Sequence, residues 1–148
     1  MPGNSLGSDT GNHTYSFEIR GAWWKTKTFP SLNDYIAQIG RNPKAGGRMK
    51  EQYMLIAANA VRGQLRGLKI VKPVIIHYEF FEPKDGHIRD VMNIFSCADK
   101  FIEDALVKLK VLQNDNPGYV VNTTHEFRWI DEEPYIKVTL EEVDNVGN

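Results

Sequence analysis

Residues 89–115 read RDVMNIFSCADKFIEDALVKLKVLQND. Ile94, Ala98, Phe101, Ile102, Ala105, Leu106 and Leu109 recur at three- and four-residue spacing, which predicts a helix over about 93–109 with one apolar face. Asn93 suits its N-cap. Residues Gln113 to Gly118 bring turn chemistry just past its end. On a wheel of about 100° per residue, Asn93, Cys97, Lys100 and Asp104 share a narrow stripe beside the apolar face, where half-burial is expected. Asp90 lies just before the helix and Asp115 in the turn beyond it.

The flanking segments set the fold class. Upstream, residues 70–81 are β-branched and aromatic, which predicts a strand, with Pro73 at its start or on an edge. Residues 82–89 read as a polar turn. Downstream, strands are expected near 119–130 and 134–143. At the other end, Tyr15, Phe17 and Ile19 alternate with polar residues, which predicts a half-buried strand over 14–20. Ser31 is a suitable N-cap for a short helix carrying Leu32, Tyr35, Ile36 and Ile39. Residues 41–50 read as a basic Pro/Gly loop. A longer helix is expected over about 48–66, with Met49, Tyr53, Ile56, Ala57, Ala60 and Leu65 near helical spacing. The order β-α-α-β-α-β-β describes an α+β domain, a small mixed sheet packed with helices. A single domain over 14–143 is expected, between tails at 1–13 and 144–148.

Length and composition agree with one domain: 148 residues, 41% of them hydrophobic. The net charge of −1 hides an asymmetry. Residues 20–72 carry eleven of the 18 Lys and Arg but only two of the 19 acids, Asp34 and Glu51. A basic half suits a polyanionic partner, although pairing of the two halves with each other or across a dimer accounts for it equally well. Cys97 is the only cysteine, so an internal disulfide is excluded. With no signal-peptide pattern, a reducing cytoplasmic setting is expected. The longest apolar runs are too short to cross a bilayer, so no membrane partner is expected.

The acids and the lysine around the 93–109 helix suit metal-assisted phosphodiester hydrolysis. Hard divalent cations take carboxylates, water and phosphate oxygens. A cation on Asp90 and Asp115 would polarise a phosphate, and Lys100 would stabilise negative charge on an oxygen. A purely structural reading competes with this. In it, Asp90 only favours a helix N-terminus, Lys100 and Asp104 form an i,i+4 pair, and Asp115 is a turn former. Spacing by itself favours the structural reading.

The run Arg89-Asp90-x-x-Asn93, then Asp99-Lys100-Phe101-Ile102-x-Asp104-Ala105-Leu106, then Leu112-x-Asn114-Asp115, resembles the RusA family of Holliday junction resolvases. The similarity is densest over about 87–121. It extends weakly to Leu32-Asn33-Asp34-Tyr35 and the basic stretch after it. The resemblance implies a RusA-like fold and a homodimeric, Mg²⁺-dependent endonuclease (Mn²⁺ also serving) acting on branched DNA. It implies Asp90 and Asp115 as catalytic metal ligands, Lys100 as the catalytic lysine, and Asn93 and Asp104 as supporting residues. Arg41, Lys44, Arg48, Lys50 and Arg89 become the expected DNA contacts. The departure is Met92, which stands where the family pattern has a second metal-binding aspartate. A thioether does not replace a carboxylate for Mg²⁺. Asp99, Glu79, Glu82 and Asp85 are the candidate substitute acids, although the helical wheel turns Asp99 away from Lys100. Without a substitute, the chain would be a silent DNA-binding protein of the same fold. A protein-interaction domain is the reading outside nucleic-acid work. Trp23, Trp24 and Trp129 are expected in the core or at an interface.

Overall fold

A computed structural model describes residues 11–20, 43–84 and 91–144. The expected helix over 31–39 and the residues Trp23, Trp24, Arg41, Asp85, Arg89 and Asp90 lie outside the described residues. The elements are β1 (Thr14–Arg20), α1 (Pro43–Gln64), β2 (Val74–Pro83), α2 (Val91–Lys108), β3 (Val120–Ile130) and β4 (Tyr135–Glu142). They form an α+β fold, with one four-stranded mixed sheet in the order β1-β4-β2-β3. β4 is antiparallel to both β1 and β2, and β3 runs parallel to β2. A parallel neighbour needs a crossover connection, and α2 supplies it.

The core lies between the sheet and the helices. Along β2, Val74, Ile76, Tyr78 and Phe80 are buried, while Ile75, His77, Glu79 and Phe81 are only half-buried. This period of two is that of a strand with one face on the core. Phe17 and Ile19 on β1 and Ile136, Val138 and Leu140 on β4 continue the buried face. The helices answer with Tyr53, Ala57 and Val61 from α1 and Ile94, Ala98, Phe101, Ile102 and Ala105 from α2. Tyr53 stacks on Phe101 with ring centroids 6.2 Å apart, and Phe95 meets Tyr78 edge-on at 5.6 Å. The opposite sheet face is polar with aromatic insertions. There Phe81 stacks on Tyr135 at 4.2 Å and the Arg20 guanidinium lies 3.7 Å over the Tyr135 ring.

Three elements differ from the sequence expectation. β2 runs over Val74–Pro83 rather than 70–81, so Glu82 and Pro83 pair with β3 and are not part of a polar turn. The two helices differ at their starts, each for a local reason. The stretch 43–50 is not loop but the first two turns of α1. Proline suits a first helical position, because its fixed φ fits and its missing N–H would have had no partner there. The second long helix begins at Val91 rather than 93, so Asn93 lies within its first turn and is not the N-cap. Its far end is a Schellman closure. The Val111 N–H donates to the Leu106 carbonyl at 2.9 Å, and the Lys110 N–H to that of Val107 at 3.0 Å. Lys110 takes φ 63°, a position that usually holds glycine. Val111 and Leu112 then turn inward and are buried, and the Ile70 N–H donates to the Val111 carbonyl at 2.8 Å. Among the described residues, no helix is long and apolar enough to cross a membrane.

Candidate functional site

The residues singled out in the sequence gather on and around α2. Lys100 is solvent-exposed rather than half-buried, Cys97 is fully buried, and Asn93 and Asp104 are half-buried. Asp104 does not need Lys100 as a partner. It accepts Lys50 Nζ of α1 at 3.4 Å. This ion pair joins two surfaces of opposite character. Lys44 and Arg48 are exposed on the first turns of α1, whose first turn carries no acid. Their positive charge adds to that of the helix N-terminus. Against them stands the acidic side of α2.

That acidic side contains a group that the sequence reading passed over. Tyr78 is fully buried in β2, and its hydroxyl donates to Asp99 Oδ1 at 2.7 Å. Asp99 is in turn hydrogen-bonded to Glu103, one turn further along α2. Burial pushes the Glu103 carboxyl up to about 9, and the hydrogen bond and negative charge of Asp99 and the charges of Asp115 and Asp104 add to it. Glu103 therefore holds a proton at neutral pH and can donate it to Asp99. Burial and the acids Asp99 and Glu103 push the Tyr78 hydroxyl well above the ordinary tyrosine value, so it remains a donor. The signal for this group was present in the sequence: Asp99 and Glu103 stand at i,i+4, where two like charges would repel unless one is neutral.

Asp115 is exposed in a tight turn after the helix. The Asn114 side-chain oxygen accepts the backbone N–H groups of Asp115 at 2.7 Å and Asn116 at 3.1 Å. Asp115 is near enough to Glu103 for its charge to help raise that carboxyl. At about 1.5 Å rise per residue, the start of α2 lies roughly 18 Å from the level of Glu103. Asp99 lies one turn nearer that start.

The other candidate acids divide by sheet face. Glu79 lies on the face away from the helices and pairs with Arg128 at 3.5 Å. Glu82 is buried on the helix side, near the end of β2. Met92 is 51% exposed at the start of α2. His77 lies on the polar sheet face, held by Thr124 Oγ1 at 2.6 Å and Glu141 Oε1 at 2.7 Å. His125 is exposed and stacks on Phe95 at 4.6 Å.

Carboxylate oxygens are the donors that hard cations take. Among the described residues, no three acidic, histidine or cysteine side chains converge into a ligand set. One or two carboxylates with water and phosphate suffice for Mg²⁺, and the donor chemistry fits that mode. No family model and no curated protein sequence matches this chain.

Proposed function

We propose that this chain is a RusA-like, metal-dependent endodeoxyribonuclease acting on four-way DNA junctions as a homodimer. The observation that most supports the reading is the Lys50–Asp104 ion pair. It sets a cationic surface suited to a DNA backbone beside a face crowded with carboxylates, as phosphodiester hydrolysis requires. Backbone contacts from Lys44 and Arg48, with Arg41 and Arg89, position DNA without reading its sequence, which suits recognition of a branched shape.

Asp115 and Asp90 are the proposed ligands of Mg²⁺ or Mn²⁺, with Asp99 the acid that offsets Met92; because the start of α2 lies roughly 18 Å from the level of Glu103, one cation would take only part of this set from one copy. When bound, the cation polarises the scissile phosphate and lowers the pKa of a water. Lys100, exposed on α2, stabilises negative charge on the leaving oxygen as the P–O bond breaks. The test is cleavage of a labelled four-way junction in Mg²⁺ and Mn²⁺ by the wild type and by Asp90→Asn, Asp99→Asn and Asp115→Asn. Cutting should fall by at least about a hundredfold for Asp115→Asn while junction binding persists. Full cutting by all three variants overturns the reading.

Met92, a thioether where the family pattern has a metal-binding aspartate, supports a second reading, a junction-binding protein without cleavage. Met92→Asp separates the two. If both versions bind and only the aspartate version cuts, the silent reading holds.

A further inference from the structure

We propose that β3 is a self-association edge: two copies of the chain pair their β3 strands antiparallel about a two-fold axis through Phe127, making one eight-stranded sheet. The proposal specifies the interface of the dimer in the nuclease reading. It is drawn from the strand itself, so a chain that fails to cut DNA leaves it standing.

The two edges of the sheet are treated differently. At β1, the Gln64 side chain closes the outer edge, accepting the Glu18 N–H at 2.8 Å and donating to the Glu18 carbonyl at 2.7 Å. Among the described residues, β3 has no outer neighbour. It is eleven residues long, VVNTTHEFRWI, with no lysine or proline, the residues that commonly blunt an edge. Trp129 is 45% and Val121 39% exposed.

The backbone phase of the edge is fixed by its inner partner. The Ile130 carbonyl accepts the Lys84 N–H at 2.8 Å, and the β2–β3 register runs without a shift from Ile75 to Pro83. Backbone groups alternate along a strand, so Ile130, Arg128 and Glu126 turn theirs to β2. Trp129, Phe127 and His125 turn theirs outward. An added antiparallel strand must therefore form its hydrogen-bonded pairs at these odd positions.

Of the allowed two-fold registers, one sets opposite charges face to face. Centring on Glu126 sets Glu126 against its own copy, and centring on Arg128 does the same for the arginine. Like charges directly opposite are destabilising. Centring on Phe127 sets Glu126 against Arg128 of the other copy, twice, in non-hydrogen-bonded pairs where side chains lie closest. On the helix side it sets His125 against Trp129 and Phe127 against Phe127. These pairs continue across the axis the row in which Phe127 lies 6.3 Å from His125 and 6.5 Å from Trp129. The glutamate and arginine already meet within the chain at 3.0 Å, so the pairing extends an existing ion pair into a four-charge cluster.

The experiment is sedimentation velocity of the full chain across concentration, for the wild type, Glu126→Arg, Arg128→Glu and an equimolar mixture of the two variants. The wild type should dimerise. Each variant alone should associate at least about tenfold more weakly, because both cross-strand pairs become repulsive. The mixture should recover a dimer. One chain is then basic at both positions 126 and 128 and the other acidic at both, so each cross-strand pair is again of opposite charge. A monomeric wild type, unchanged dimers of both single variants, or a mixture that does not recover overturns the proposal. Should the variants not fold, amide exchange on the wild type decides. The Phe127 and Trp129 N–H groups should gain protection as concentration rises, and concentration-independent exchange there overturns the pairing.

Discussion

Glu103 is the residue whose chemistry departs furthest from its ordinary behaviour. Its carboxyl is pushed up to about 9, against 4.5 for an ordinary glutamate. The folded chain therefore keeps a proton that the unfolded chain releases between those values. Stability from this group is complete below the unfolded value and is lost as pH rises toward 9. Urea midpoints at pH 5, 7 and 9 should fall more steeply for the wild type than for Glu103→Gln, which cannot ionise. Equal slopes would show that Glu103 is not protonated in the fold. This part of the site was only half legible in the sequence. Lys100, Asp104 and Asp115 were singled out by the family resemblance, spacing by itself favouring a structural role, and the helical wheel discounted Asp99 by its angle from Lys100. What gives Asp99 its place is Tyr78, which reaches it from β2, and a single helix wheel contains no strand.

Elements were legible where their pattern is local. Tyr15, Phe17 and Ile19 alternate through the whole of β1, and its span is the one expected, 14–20. The apolar spacing of α2 locates it to within two residues at each end. The start of α1 was obscured because Pro43, Gly46 and Gly47 usually interrupt structure, whereas here they open a helix. The order β1-β4-β2-β3 and the parallel β2–β3 pairing were not legible, since they depend on contacts between distant segments. The end of α2 carries a testable cost. Lys110 holds a left-handed conformation that glycine adopts freely. Lys110→Gly should stabilise the fold by about 1 kcal/mol, read as a higher urea midpoint. A lower midpoint would mean that the lysine side chain contributes more than the backbone strain costs.

At the scale of the whole molecule, a helical layer covers one sheet face among the described residues, and the acidic side of α2 meets the basic start of α1 through Lys50 and Asp104. In the proposed pairing the two-fold axis is perpendicular to the sheet, so both copies present these surfaces on the same side. In the nuclease reading, two sites facing one way would suit two cuts in one branched substrate. Every step of the nuclease reading depends on the acidic side of α2 taking a divalent cation. Mn²⁺ binding followed by electron paramagnetic resonance, with Mg²⁺ as competitor, probes that step without DNA, on the wild type and Asp115→Asn. Bound Mn²⁺ that Mg²⁺ displaces and that Asp115→Asn loses is the expected outcome. No bound Mn²⁺ on the wild type, or equal binding by the variant, would contradict it.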